Sequence, residues 1–180
     1  MTLQDVMLDI ETLSTQSNAC ILTIGAIKFS RNRDLLPLEN CDIFYRRISK
    51  ESCDAVGLHT DMSTVEWWMN QSEDAKYEVF TENDRVSIKN ALYDFSEWFG
   101  NSRFIWGHGS VFDVTILNNA YRALEMQPPW NFWNVRDTRT LYDIGNVSVK
   151  SLPKENAHHA VHDCYRQIVG VHRALRNLGT

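Results

Sequence analysis

The sequence predicts an α/β domain, a mixed β-sheet flanked by α-helices, and three observations carry that prediction. Three β-rich stretches, "DVMLDIE", "ACILTIGAIKFS" and "CDIFYRRIS", come first. Segments of helical periodicity follow, interleaved with further short strands. The last of them, "AVHDCYRQIVGVHRALRNLG", sets Val161, Cys164, Ile168, Val171, Leu175 and Leu178 three or four residues apart, the mark of one buried stripe.

Taken in order, the first three stretches read as an antiparallel meander. The polar connection "RNRDLLPLEN" between the second and third suits a hairpin-like return. "TVEWWMNQ" then reads as a short helix with Thr64 as its cap, and "SIKNALYDFSEWFG" as a longer one ending at Gly100. "RFIWGHG" is a brief apolar strand stopped by glycines. It leads into "DVTILNNAYRALEM", where Val114, Leu117, Tyr121 and Leu124 recur at helical spacing. After the loop "QPPWNFWN", the segment "VRDTRTLYDI" reads as a last strand.

The chain of 180 residues is long enough for one buried core, so residues 1–180 are expected to form a single domain. No apolar run approaches the ~20 residues that span a membrane, and Asp5, Asp9 and Glu11 interrupt the apolar N-terminus, unlike a signal peptide. The four cysteines lie far apart without a CxxC pair, which suits reduced thiols in the cytoplasm rather than disulfides or a thiolate zinc site. A net charge of −5 is not the footprint of a protein that coats long duplexes, but it leaves room for a small pocket that grips a few nucleotides through metal ions.

The chemistry starts at "VMLDIETLS". Alternation along a strand puts Asp9 and Glu11 on one face, where two carboxylates repel each other and resist burial unless something cationic lies between them. A third acid, Asp113, stands at the mouth of a helix, and a fourth, Asp163, in the first turns of the last helix. Hard divalent cations take such oxygen ligands, and two of them ~3.5–4 Å apart can serve both the attacking and leaving oxygens of a phosphodiester. Each acid also has a plainer reading: an exposed pair on an edge strand for Asp9 and Glu11, a helix N-cap for Asp113, and a first-turn acid favoured by the helix dipole for Asp163.

Histidines cluster in "NAHHAVHDC". His158 and His162, four apart, could share a helical face and bind zinc, yet the sequence lacks HExxH. His162–Asp163 matches the pair of the all-helical HD phosphohydrolases, which the β-rich N-terminal half disfavours. A third reading fits better: His158 in the loop before the last helix reaches over the site and takes a proton from the attacking water.

With "DIET", "GHGSVFD" and "HHAVHD" in that order, the chain resembles the DnaQ-like, or DEDDh, 3′–5′ exonucleases. The resemblance covers nearly the whole chain. It implies Asp9, Glu11, Asp113 and Asp163 as metal ligands for two Mg²⁺ or Mn²⁺ ions, and His158 as the catalytic histidine of a His-x4-Asp motif. The tyrosine subgroup would have Tyr where His159 stands. The implied fold is RNase H-like, and the implied reaction is hydrolysis from the 3′ end of single-stranded RNA or DNA, releasing nucleoside 5′-monophosphates. The Trp-Trp segment resembles that of small phage- and prophage-type exonucleases and of RNase T-like exoribonucleases. His108 stands where relatives often carry Asn.

By the same resemblance, Thr12, Leu13 and Ser14 form a turn whose backbone and apolar side chain meet the terminal nucleotide. Trp67 and Trp68 offer faces for base stacking, with a core-facing helix position as the plainer reading; adjacent tryptophans cannot both face inward, so one is expected to be exposed. Arg46, Arg47, Arg136 and Arg139 are candidates for phosphate contact with solvated surface as the default, and Asp137 reads as structural. "PPWNFWN" suits either a contact between two copies, as in a homodimer, or burial within its own chain. Two other functions stay open: an idle nucleic-acid-binding module of the same fold, and a metal-dependent nucleotide phosphohydrolase.

Overall fold

A computed structural model describes residues 3–153 and 158–179. Strand β1 (Asp5–Thr12) pairs antiparallel with β2 (Ile21–Phe29), and β2 pairs likewise with β3 (Asp42–Ile48). The two-residue β4 (Arg85–Val86) extends the sheet beyond β3. On the other side, β5 (Phe104–Gly107) joins β1 in parallel and β6 (Val135–Asp137) joins β5. The order β4-β3-β2-β1-β5-β6 makes a mixed sheet, as the sequence predicts, with the antiparallel meander first.

Helices cover both faces. The long α7 (Ala160–Asn177) crosses β1 and β2, burying Val161, Cys164, Ile168, Val171 and Ala174 against Met7, Ile27, Phe29 and Trp106. Full burial of an aliphatic side chain of this size contributes about 1.5–3 kcal/mol before conformational entropy is subtracted. The stripe ends a turn earlier than expected: Ala174 is its last buried member, while Leu178 is exposed. On the opposite face, α4 (Ile88–Phe99) and α5 (Asp113–Ala123) pack against Val6, Leu8 and Ile10. Ser87 caps α4 by accepting from Asn90 N–H, and Gly100 closes it with φ 53°, a conformation open to glycine.

One close approach sets up the site. Gly25 lies opposite Asp9 in the β1–β2 register, and a Cβ there would come within 2.6 Å of the Ala160 Cβ. The missing side chain lets the first turn of α7, which carries Asp163, sit down on the sheet beside Asp9.

Three local expectations need correction. The helix at Trp67 and Trp68, α2 (Met62–Met69), starts earlier than expected and is capped by Asp61, whose Oδ1 accepts from Ser63 N–H at 2.9 Å, not by Thr64. "VRDTRTLYDI" does hold the last strand, over three residues, and then continues as α6 (Thr138–Ile144), which the sequence reading did not foresee, because Asp137 accepts from Arg139 N–H at 2.9 Å and Thr140 N–H at 3.2 Å, nucleating a turn. The short α1 (Lys50–Asp54) and α3 (Glu73–Phe80) and the strand β4 had no sequence expectation at all.

Candidate active site

Asp9 and Glu11 point from β1 to the α7 face, each partly open. The register of β1 against β2 slips between Glu11 and Thr12, a bulge that ends regular pairing at the edge of the site. Asp163, in the first turn of α7, joins them: one oxygen from each of the three carboxylates lies within 4.8 Å of the others. Asp113, the first residue of α5, is buried, and its Oδ1 accepts the Ile10 N–H at 3.3 Å. It therefore turns toward β1 rather than capping its own helix, which has no side-chain cap. The four acids and His158 line one cavity of about 420 Å³.

The acids are electrostatically expensive where they stand. Burial raises Asp9 well above the usual carboxylate range, and the charges of Asp113, Glu11 and Asp163 add to it. Only Gln167, whose Nε2 donates to Asp9 Oδ1 at 2.8 Å, pulls the other way. Glu11 is raised by burial and then by Asp163, Asp113 and Glu78. Asp113 is pushed up to about 7 by burial, against the opposing N–H of Ile10. Both acids line the cavity, and burial is the largest cause of both shifts. Among the described residues, neither has a protein cation within ion-pair distance. Arg139, which lines the same cavity, lowers Asp113 a little. An all-oxygen donor set crowded to this degree fits a hard divalent cation.

His158 precedes α7 with left-handed backbone, φ 65°. Its N–H donates to Asp163 Oδ2 at 3.2 Å, and its ring stands edge-to-face with Trp67 and Trp68, at 5.4 and 5.8 Å between centroids. The next residue turns away from the acids. His159 stacks on Tyr45 at 5.3 Å, and its Nε2 lies 3.6 Å from Glu78 Oε1. Glu78 also accepts from Arg47 Nη2 at 2.9 Å and from the Tyr45 hydroxyl. His162 meets the His159 ring edge-on at 4.8 Å. Among the described residues only Asp9, Glu11 and Asp163 form a group of three metal-competent side chains, so the histidines do not assemble a zinc site. His108 braces the sheet end instead, with Nδ1 2.8 Å from Thr138 Oγ1, and burial lowers its pKa.

The expected substrate contacts fare differently. Trp68 is 1% exposed and its Nε1 donates to the Thr12 carbonyl at 2.9 Å, so it packs in the core and offers no face for stacking. Trp67 is 46% exposed. Thr12, Leu13 and Ser14 are buried and bonded internally: Thr12 Oγ1 to the Ser14 carbonyl at 2.7 Å, Leu13 N–H to the Cys20 carbonyl at 2.9 Å, and Ser14 Oγ with His59 Nδ1 at 2.9 Å. None of the three is among the described residues that line the acidic cavity. Arg139 and Arg166 do line it. Of the other arginines, Arg46 pairs with Asp94 and Arg47 with Glu78. Sequence reading missed Gln167, although its position four residues after Asp163, on the same helical face, was the available signal.

A family described as the 3′–5′ exoribonuclease Rv2179c-like domain matches residues 4–175. An exodeoxyribonuclease of Enterobacteria phage T4 is 27% identical, over 96% of this chain and 89% of its own. Among solved structures, cell-death related nuclease 4 (CRN-4) superposes with a TM-score of 0.54 at 10% identity, covering 97% of this chain. The chain spans 64% of that nuclease's length. S. pombe Pop2p, in a form with Mg²⁺ and Mn²⁺ bound, gives a TM-score of 0.56 at 12% identity, covering 96% of this chain and 82% of its own. At those identities the likeness is one of fold, and the fold is RNase H-like.

Proposed function

This chain belongs to the 3′–5′ exoribonuclease Rv2179c-like family, and on that premise we propose that it shortens single-stranded nucleic acid from the 3′ end, releasing nucleoside 5′-monophosphates. The observation that carries the reading is the convergence of Asp9, Glu11, Asp113, Asp163 and His158 on one cavity. Two divalent ions, Mg²⁺ or Mn²⁺, held by the four carboxylates would supply positive charge against the scissile phosphate and make water a better nucleophile.

The chain's own groups do the rest. His158 takes the proton of the attacking water, and its edge-on contacts with Trp67 and Trp68 restrict the imidazole to the cavity. Gln167 holds the Asp9 carboxylate in one orientation. Arg139 and Arg166 offer guanidinium groups to non-bridging phosphate oxygens. Trp67, the exposed member of its pair, stacks on the terminal base. The family is described by RNA and the T4 relative by DNA; we propose that both sugars are accepted. We further propose that residues 1–180 act as one exonuclease domain in the reducing cytoplasm, in keeping with four free cysteines and with no described helix long and apolar enough to cross a membrane.

The test uses 5′-labelled single-stranded RNA and DNA of one sequence with Mg²⁺, Mn²⁺ or EDTA. A ladder descending from the 3′ end is expected with either metal and absent in EDTA. Asp9→Ala should abolish it, and His158→Ala should slow it by roughly 10²–10⁴-fold. No shortening of either strand under any metal sinks the reading in favour of an idle binding module. Phosphate release from mononucleotides instead would favour the phosphohydrolase.

A further inference from the structure

Outside the acidic cavity, the surface carries an aromatic pair that folding does not explain. Phe132 and Trp133 are 83% and 61% exposed, edge-to-face at 4.9 Å, on a single helical turn just before β6. The loop that presents them is anchored elsewhere: Trp130 is buried among Phe95, Phe99 and Tyr121. Leaving two large rings in water gives up the gain of burying them, and exposed apolar surface of this kind marks a binding site.

Phe132 forms one wall of a groove of about 530 Å³, and α5 forms the other through Val114, Asn118 and Arg122. The groove begins at Ser110 and Val111, and the next two residues, Phe112 and Asp113, line the acidic cavity. The linings of the two depressions are thus neighbours along the chain at the start of α5. Among the described residues no acid lines the groove, although the chain has 23 acids against 18 lysines and arginines, and the one charged group lining it is Arg122. The remaining polar groups include the amides of Asn118, Gln127 and Asn131, which can both donate and accept.

Resting on the nuclease reading above, we propose that this groove is a second nucleotide subsite, which takes the single-stranded stretch immediately upstream of the 3′ end. Bases stack on Phe132 and Trp133, Arg122 meets a phosphate, and the amides face base edges. Aromatic faces beside a cation bind single strands with little regard to sequence. A second copy of this chain is the weaker occupant: it brings a net charge of −5 and no demand for a groove free of acids beside the acidic cavity.

The experiment measures binding of 5′-labelled three- and twelve-nucleotide single strands by anisotropy in EDTA, so that hydrolysis plays no part. The unaltered protein is expected to bind the longer strand more tightly by at least about tenfold, a preference that collapses toward unity in a Phe132→Ala/Trp133→Ala variant. A Phe132→Tyr/Trp133→Phe variant should keep it, and melting temperatures should agree across all three. A preference absent from the unaltered protein, or undiminished in the alanine variant, overturns the proposal. So does a change from dimer to monomer in sedimentation with the preference intact, which would make the face a contact between copies. Adding Mg²⁺ to the same mixtures separates the two readings: shortening without length preference leaves the nuclease and removes the groove, whereas no shortening removes the nuclease.

Discussion

At the start of β1, Asp5 is 3% exposed, with its Oδ1 3.0 Å from Arg31 Nε and 2.8 Å from Trp106 Nε1. Four residues on, along the same face of the same strand, Asp9 is surrounded by Glu11, Asp113 and Asp163 and receives a single amide from Gln167. One end of the strand neutralises its acid with the chain's own cation and indole N–H. The other gathers acids around Asp9, which among the described residues has no cation within ion-pair distance. Self-sufficient charge marks a group that holds the fold together, and uncompensated charge marks one that serves a ligand.

Removing charge at the two ends should therefore have opposite effects. Asp9→Asn is expected to cost roughly a thousandfold or more in hydrolysis while raising the melting temperature in EDTA by at least about 2 °C, because it relieves repulsion. A lower melting temperature for that variant would break the comparison. Asp5→Asn should do the reverse: about 1–3 kcal/mol of stability lost, with Arg31 and Trp106 left poorly matched, and the rate of hydrolysis kept. Chemical denaturation read beside the nuclease assay gives both numbers.

A smaller effect follows from pH. Asp9 and Glu11 are raised well above the usual range, and Asp113 to about 7. The folded protein therefore binds more protons than the unfolded chain from the ordinary carboxylate range up to these raised values, and stability in EDTA falls as pH rises through that interval. Melting in EDTA should drop between about pH 5 and 8, by about 2–4 °C for each kcal/mol, and saturating Mn²⁺ should flatten the curve. A curve in EDTA that rises with pH would mean the acids are compensated within the fold. The smallest expected effect is at Glu78, which clamps His159 next to the left-handed His158. Glu78→Gln should lower kcat by about tenfold with KM nearly unchanged, since it loosens the orientation of His158 and removes none of the four carboxylates, although it eases the charge felt by Glu11.

How much of this was readable in advance depended on the range over which each signal acts. Alternation along β1 put Asp9 and Glu11 together without reference to any other part of the chain, and the three ordered motifs singled out Asp113, Asp163 and His158. The stripe of α7 announced the helix that carries Asp163. Short elements escaped: α1, α3 and β4 have too few residues for a period to show, and the capping carboxylate of Asp137 outweighed the strand-like look of "VRDTRTLYDI". The tryptophans show the limit best. Sequence required that one of Trp67 and Trp68 face outward, but the choice fell to the Thr12 carbonyl that accepts the Trp68 indole N–H from 56 residues away in sequence.

By itself, then, the sequence determined which side chains share a strand face or a helix stripe and which residue types stand ready for metal and proton chemistry, since both follow from neighbours along the chain. Only the tertiary structure decided that Gly25 admits the first turn of α7 beside Asp9, that Gln167 supports that carboxylate, that His159 is held by Glu78 while His158 lines the acidic cavity, and that a groove walled by Phe132 and α5 lies next along the chain to that cavity. Those are meetings between segments far apart in the chain, and no local period reports which distant backbone or charge a side chain will find.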